Sequence, residues 1–209
     1  AHPEVDLVYG DVLSLDGESR LINVMRFADF SLMDLMTFHM IGQPAVFFRR
    51  SAWEAAGGLD LSYHYLLDHH LWLRIAARSG IAYVPEPWAC ARFYPQAKNR
   101  AHAADFGKEA FRLVEWMHAD LLFRNFFPHN ERAVKAGAAW LDANYLSNGG
   151  LAWKSLARYA QVLLLSPGRV WTDRRRAVLT LLMTVAPGLA QKLFEQGAQR
   201  RLDGLDEYR

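Results

Sequence analysis

The hydrophobic pattern of the chain changes period near residue 100. Before that point, short runs of strand formers alternate with short helical stretches; after it, the spacing is helical throughout. Residues 5–13 are rich in β-branched and aromatic side chains and alternate through their first half, which predicts a strand. Residues 14–18 read as a turn and 21–25 as a returning strand. Leu32, Leu35, Met36 and Met40 share a helical spacing, and residues 43–48 read as a buried strand punctuated by Gly42 and Pro44.

Ser51 and Glu54 have the spacing of a capping box, and Gly57-Gly58 supplies a left-handed stop. A second helix is expected over residues 66–78, ending at Gly80, with Leu67, Leu71, Trp72 and Ile75 as its apolar stripe. Asp68 falls on that same side, so its carboxylate is expected to face the body or a cleft. The simpler reading is a first-turn acid that complements the helix dipole. Residues 81–84 should form a strand stopped by Pro85 and Pro87. Residues 88–94 alternate again, with Trp88, Cys90, Arg92 and Tyr94 on one face, and Cys90 is expected to be a buried small hydrophobe between two alanines. Helix breaks are offered at 127–130, 147–150, 166–168 and 186–188. The expected architecture is therefore α/β over residues 1–100 and all-α over 101–209.

Composition narrows the chemistry. At 52% hydrophobic and 22% charged residues the chain is globular in character, and one cysteine excludes a disulfide framework and a Cys-rich metal site. The formal charge of +2 hides an asymmetry: residues 1–150 carry 14 Lys and Arg against 17 Asp and Glu, whereas 151–209 carry 10 against 5. An acidic body whose basic residues are not interleaved with exposed aromatics argues against nucleic acid as a partner. His64, His69 and His70 could suggest a metal site, but adjacent histidines leave a helix on different sides and no Cys or Glu cluster accompanies them. No metal ligands are assigned. No Gly-x-Ser-x-Gly stands in the chain, and Cys90 has no evident histidine partner. Arg174-Arg175-Arg176 precedes an uncharged run, 177–186, too short for the roughly 20 residues a bilayer crossing needs. It suits either interfacial attachment to an anionic membrane face or ordinary core packing.

Several of these stretches, taken in order, resemble the C-terminal half of a family 2 glycosyltransferase catalytic domain. They are Asp6-Leu7-Val8-Tyr9-Gly10-Asp11, Gln43 through Ser51, Gly57-Gly58-Leu59-Asp60, Asp68 through Arg74, and then Arg92 and Lys98. The resemblance covers roughly residues 4–100. It implies part of a GT-A fold, a Rossmann-like mixed sheet, followed here by a helical tail. It also implies transfer of a sugar from a nucleotide-sugar donor to a saccharide or lipid-linked acceptor, in the manner of an inverting hexosyltransferase of polysaccharide or cell-envelope biosynthesis.

On that resemblance Asp68 matches the general base, and Arg92 and Lys98 match basic residues near the donor diphosphate. Gln43 and Trp72 match the acceptor side of the cleft, with Asp11 and Tyr94 as further substrate-side candidates. The family's Asp-x-Asp motif, which holds Mg²⁺ or Mn²⁺, has no counterpart in these residues. The chain is thus expected to be the acceptor-side half of a longer enzyme, inactive alone, with its metal ligands elsewhere. The expected location is cytoplasmic, peripheral on the inner membrane face. The competing expectation is a non-catalytic helical module that docks a membrane or a partner.

Overall fold

The computed structural model describes residues 2–92, 102–203 and 205. The chain divides into two compact units, Ala1–Tyr94 and Pro95–Arg209. The first is mixed α/β and the second helical, as the change of period implies.

The first unit is organised by one long strand, β1 (Val5–Leu15). Strand β4 (Gly80–Arg92) runs parallel along the whole of one edge. The other edge is shared: β2 (Leu21–Met25) pairs antiparallel with residues 12–15, and β3 (Val46–Phe48) pairs antiparallel with residues 7–9. A central strand has no free backbone edge and little free surface, and Tyr9, Gly10, Asp11 and Val12 are accordingly all buried. Burial alternates at the two ends of β1, with Leu7 and Tyr9 and then Val12 and Ser14 covered, and is continuous between them.

Pro85 and Pro87 do not end their strand. Tyr9 pairs with Tyr83 and the next pair is Asp11 with Pro87, so β4 carries extra residues between them. This bulge places the prolines on an edge strand, where a missing N–H is tolerated. It also explains Gly10. A Cβ there would sit 2.6 Å from the Glu86 carbonyl oxygen and 2.7 Å from the Trp88 ring. Cys90 is exposed, contrary to expectation, because small neighbours do not bury a residue on an edge strand. Residues 43–48 are likewise not a buried strand. They open as a 3-10 turn (Gln43–Ala45) with Pro44 near its start, and Phe47 and Phe48 stay exposed on the short β3.

The helices show where local signals compete. Helix α1 (Leu32–Met36) carries the capping box, made by Ser31 and Asp34. Helix α2 (Arg50–Ala55) has none at Ser51, because its N-cap is Arg49, two residues earlier, and Ser51 already lies in the first turn. The Arg49 side chain instead ties this start to β1, bonding the Val5 carbonyl and pairing with Asp6 at 3.2 Å. Gly57 and Gly58, at φ +79° and +69°, close α2 with the two backbone bonds of a Schellman motif, Gly57 to Glu54 and Gly58 to Trp53. The same motif closes α1 with Phe38 in the left-handed position, where the cost of a side chain at φ +63° is offset by complete burial of its ring.

Helix α3 (Leu67–Ala76) is shorter than expected, and Gly80 opens β4 rather than ending the helix. It is buried on more than its stripe: His69, His70 and Leu73 are covered together with Leu71, Trp72 and Ile75. His69 stacks on Phe38, and its Nε2–H donates to the Leu35 carbonyl at 3.0 Å.

The second unit contains α4 (Ala103–Ala119), α5 (Phe127–Asn148), α6 (Ala152–Leu165), α7 (Pro167–Thr172), α8 (Arg174–Val185) and α9 (Pro187–Asp203). The expected breaks at 147–150, 166–168 and 186–188 each overlap a helix boundary, whereas residues 127–130 form the first turn of α5 and the break before it runs over 120–126. Pro128, Pro167 and Pro187 each stand in a first turn, where a missing N–H is harmless. Helix α5 packs on α4 and α6, and its buried Ala136, Gly137, Ala138, Ala139 and Ala143 allow close approach. Gly107 of α4 lies directly against the Asp142 carboxylate, which Arg158 engages at 2.6 Å. Burial pushes that carboxyl upward and the guanidinium works against the shift.

Two stability predictions follow from the first unit. Burial drives the His69 pKa from its ordinary 6.5 down to about 4. Between those values the unfolded chain takes up a proton that the native state refuses. Stability is therefore full above pH 6.5 and falls as pH drops toward 4, by up to about 3 kcal/mol. Urea denaturation at pH 7 and 4.5 reads this directly, and His69→Gln should flatten the dependence across that window. Gly10→Ala, which forces the Trp88 ring and the bulge apart, should lower stability by about 1–3 kcal/mol in the same assay.

Candidate active site

The start of α3 forms one wall of a cavity of about 340 Å³, lined by Gln43, Phe48, Trp53, Leu59, Leu67, Asp68, Leu71 and Trp72. That volume is at the small end of ligand-binding cavities. Three of the residues singled out from sequence, Gln43, Asp68 and Trp72, therefore meet in one place. They come from two separate segments of the chain.

Each wall has an identifiable support. Gln43 is held by the 3-10 turn that leads into β3, and Phe48 by the pairing of β3 with β1. The Trp72 ring packs against Phe48 with centroids 5.5 Å apart. Trp53 lies over Gly58, where a Cβ would come within 2.9 Å of the indole, so the left-handed glycine makes room for the aromatic wall. Arg74 fastens this region to α3. Its guanidinium donates to the Ala56 carbonyl at 2.5 Å and to the Gly58 carbonyl at 2.7 Å, satisfying oxygens at the end of α2.

Asp68 combines the two roles that its sequence context allowed. It is half-buried and lines the cavity. Its Oδ1 also accepts the His69 N–H at 2.7 Å, one of the first-turn donors that α3 leaves unpaired, and Leu66 makes no side-chain cap in its place. This carboxylate is held at Oδ1 by the His69 N–H and sits beside a largely apolar, aromatic surface. Trp72 adds a buried indole Nε1–H with no hydrogen-bond partner.

The remaining candidates lie elsewhere. Asp11 is buried within the sheet, where its Oδ1 accepts the Tyr83 hydroxyl at 2.7 Å and the Phe27 N–H at 3.0 Å. Burial, and then the bond to Asp11, pushes the Tyr83 hydroxyl up to about 12, so it remains a donor. Tyr9 makes a parallel pair of bonds, donating to the Ala28 carbonyl at 2.6 Å and accepting the Phe30 N–H at 2.8 Å. Arg92 closes β4 opposite Leu15 and bonds the Ser19 hydroxyl at 3.0 Å. Phe48 of the cavity sits opposite Leu7, eight residues away along β1, which is about 26 Å of strand. Lys98 and Tyr94 lie outside the described residues.

Sequence reasoning did not single out Phe48, Trp53 or Leu59 as site residues. The available signal for Trp53 was its position in a helix closed by Gly57-Gly58. Among the described residues no three His, Cys, Asp or Glu side chains gather where they could hold a metal ion, and Asp68 is the only carboxylate lining this cavity. Neither protein-family models, nor curated proteins, nor solved structures contain a match to the chain.

Arg74→Met removes three charge-assisted bonds, to the His70, Ala56 and Gly58 carbonyls, and leaves the last two short of a donor. It should lower stability by about 2–3 kcal/mol in urea denaturation, more than a surface arginine would.

Proposed function

We propose that the first unit is the acceptor-side half of an inverting glycosyltransferase, with Asp68 as its general base. The observation that supports this reading is the convergence of Gln43, Asp68 and Trp72 on one aromatic-walled cavity. Sugars present apolar C–H faces and polar rims. Phe48, Trp53 and Trp72 offer matching apolar surfaces, while the exposed Gln43 amide offers hydrogen bonds at the rim.

The chemistry asked of Asp68 is specific. The acceptor hydroxyl loses its proton to the carboxylate as its oxygen attacks the anomeric carbon of the donor. The bond from that carbon to the nucleoside diphosphate breaks with inversion, and the electron pair leaves with the diphosphate. A carboxylate within hydrogen-bond reach supplies the proton acceptor. Charge on the leaving group must be met by cations, and a divalent metal would do this when bound. Among the described residues no three His, Cys, Asp or Glu side chains gather to hold one. On this reading Arg92 and Lys98 are the cationic candidates for the donor diphosphate. A cytoplasmic site at the inner membrane face, acting on a saccharide or lipid-linked acceptor, belongs to the same reading.

The test is transfer of a labelled sugar from nucleotide-sugar donors, measured on the chain joined to its donor-binding half. Asp68→Asn should lower kcat by at least about 100-fold with little change in acceptor KM, since it removes the proton acceptor and keeps the shape. Transfer at the native rate in that variant would defeat the assignment.

A further inference from the structure

The helical unit exposes an uncommon amount of large apolar surface in one stretch of chain. On α6, Trp153, Ala157, Ala160 and Leu164 are exposed at i, i+4, i+7 and i+11, which is one face of the helix. On α8, Val178, Leu181 and Val185 repeat the pattern at i, i+3 and i+7. Trp153 and Trp171 are each 72% exposed and Leu164 is 76% exposed. Scattered single apolar residues need no explanation, but successive helix faces do.

The charge in the same stretch is one-sided. Residues 151–194 carry seven Lys and Arg against a single acid, Asp173, which accepts the Trp140 indole N–H. Among the described residues no carboxylate lies within ion-pair distance of Arg174, Arg175 or Arg176. The two features converge on an open cavity of about 530 Å³ whose lining includes Trp171, Arg174, Arg175, Val178 and Leu193. The Arg174 guanidinium lies 5.5 Å from the Trp171 ring centre. Guanidinium groups beside an indole and aliphatic side chains match an amphiphile with an anionic head.

We propose that this unit docks in the plane of an anionic lipid bilayer, with Arg174 and Arg175 on lipid phosphate and Trp171, Val178 and Leu193 against the acyl boundary. Charge complementarity selects the lipid surface, and tryptophan beside arginine is the chemistry of the interfacial zone. Among the described residues no helix is long and apolar enough to cross a membrane, so the contact is lateral. The distribution of apolar side chains over successive short helices suits a broad surface better than a groove for one peptide.

The inference stands apart from sugar transfer and is tested without it. The 209-residue chain is co-sedimented with vesicles of phosphatidylcholine and of phosphatidylcholine containing about one third phosphatidylglycerol. Binding should be at least about tenfold tighter on the anionic vesicles at low salt, and most of it should be lost near about 0.5 M salt. Arg174→Glu with Arg175→Glu should abolish it, and Trp171→Ala should weaken it several-fold. Because these side chains are exposed, thermal unfolding of the variants should match the parent. Absence of binding at low salt, equal binding to neutral vesicles, or binding unaffected by both substitutions would overturn the proposal. So would soluble polyglutamate binding as tightly as the anionic vesicles, which would assign the face to an acidic polypeptide. A dimer dispersed by Trp171→Ala, with no vesicle binding, would assign it to a second copy.

Discussion

The hydrogen bonds of Tyr9 and Asp11 are the constraint on which the first unit depends. Two polar side chains on the central strand are buried where each must find partners or cost stability. They find them on opposite neighbours: Tyr83 on β4, and the backbone of residues 27, 28 and 30 beyond β2. The strand is thereby fixed in register against β4, and the chain leaving β2 is directed toward α1. Gly10, between them, admits the Trp88 ring and the bulge that carries the prolines.

From α1 the constraint passes to the candidate site. The Leu35 carbonyl receives the His69 Nε2–H, and Phe38, held in a left-handed conformation, stacks on the same imidazole. That fixes α3 close to its first turn, one residue from Asp68. Arg74, near the other end of α3, fastens the Gly57-Gly58 turn and so the Trp53 wall. The cavity is thus positioned by side chains that do not line it. This arrangement suits a site that must hold one carboxylate at a set place against aromatic surfaces.

The helical unit follows a different logic. Its interior is made by small residues on α5, which let α4 and α6 approach, and by the Asp142–Arg158 pair, which places a carboxylate against Gly107. Its later helices leave apolar faces without a described covering and concentrate positive charge beside them. Packing is close in the first helices, and apolar faces stay exposed in the last ones.

Returning to the helix that carries Asp68, its place in the chain was legible from residues alone. Gly57-Gly58 must stop a helix, because only glycine adopts two successive left-handed positions cheaply. Leu71, Trp72 and Ile75 must be covered, and the proline-marked breaks of the second unit had to separate helices. Local chemistry determines such features. It did not determine that Ser31 rather than Ser51 would cap, that β4 would run through two prolines, or that His69 would be buried as a neutral ring. Each of these depends on a partner far along the chain: Asp6 for Arg49, β1 for the bulge, Leu35 for His69. Tertiary structure also decided which candidates meet. Gln43, Asp68 and Trp72 converge because β3 and α3 both pack on β1, whereas Asp11 was drawn into the sheet and Arg92 carried to its far end. Residue types show which chemistry is possible; only the register of one buried strand determined which of these side chains stand together.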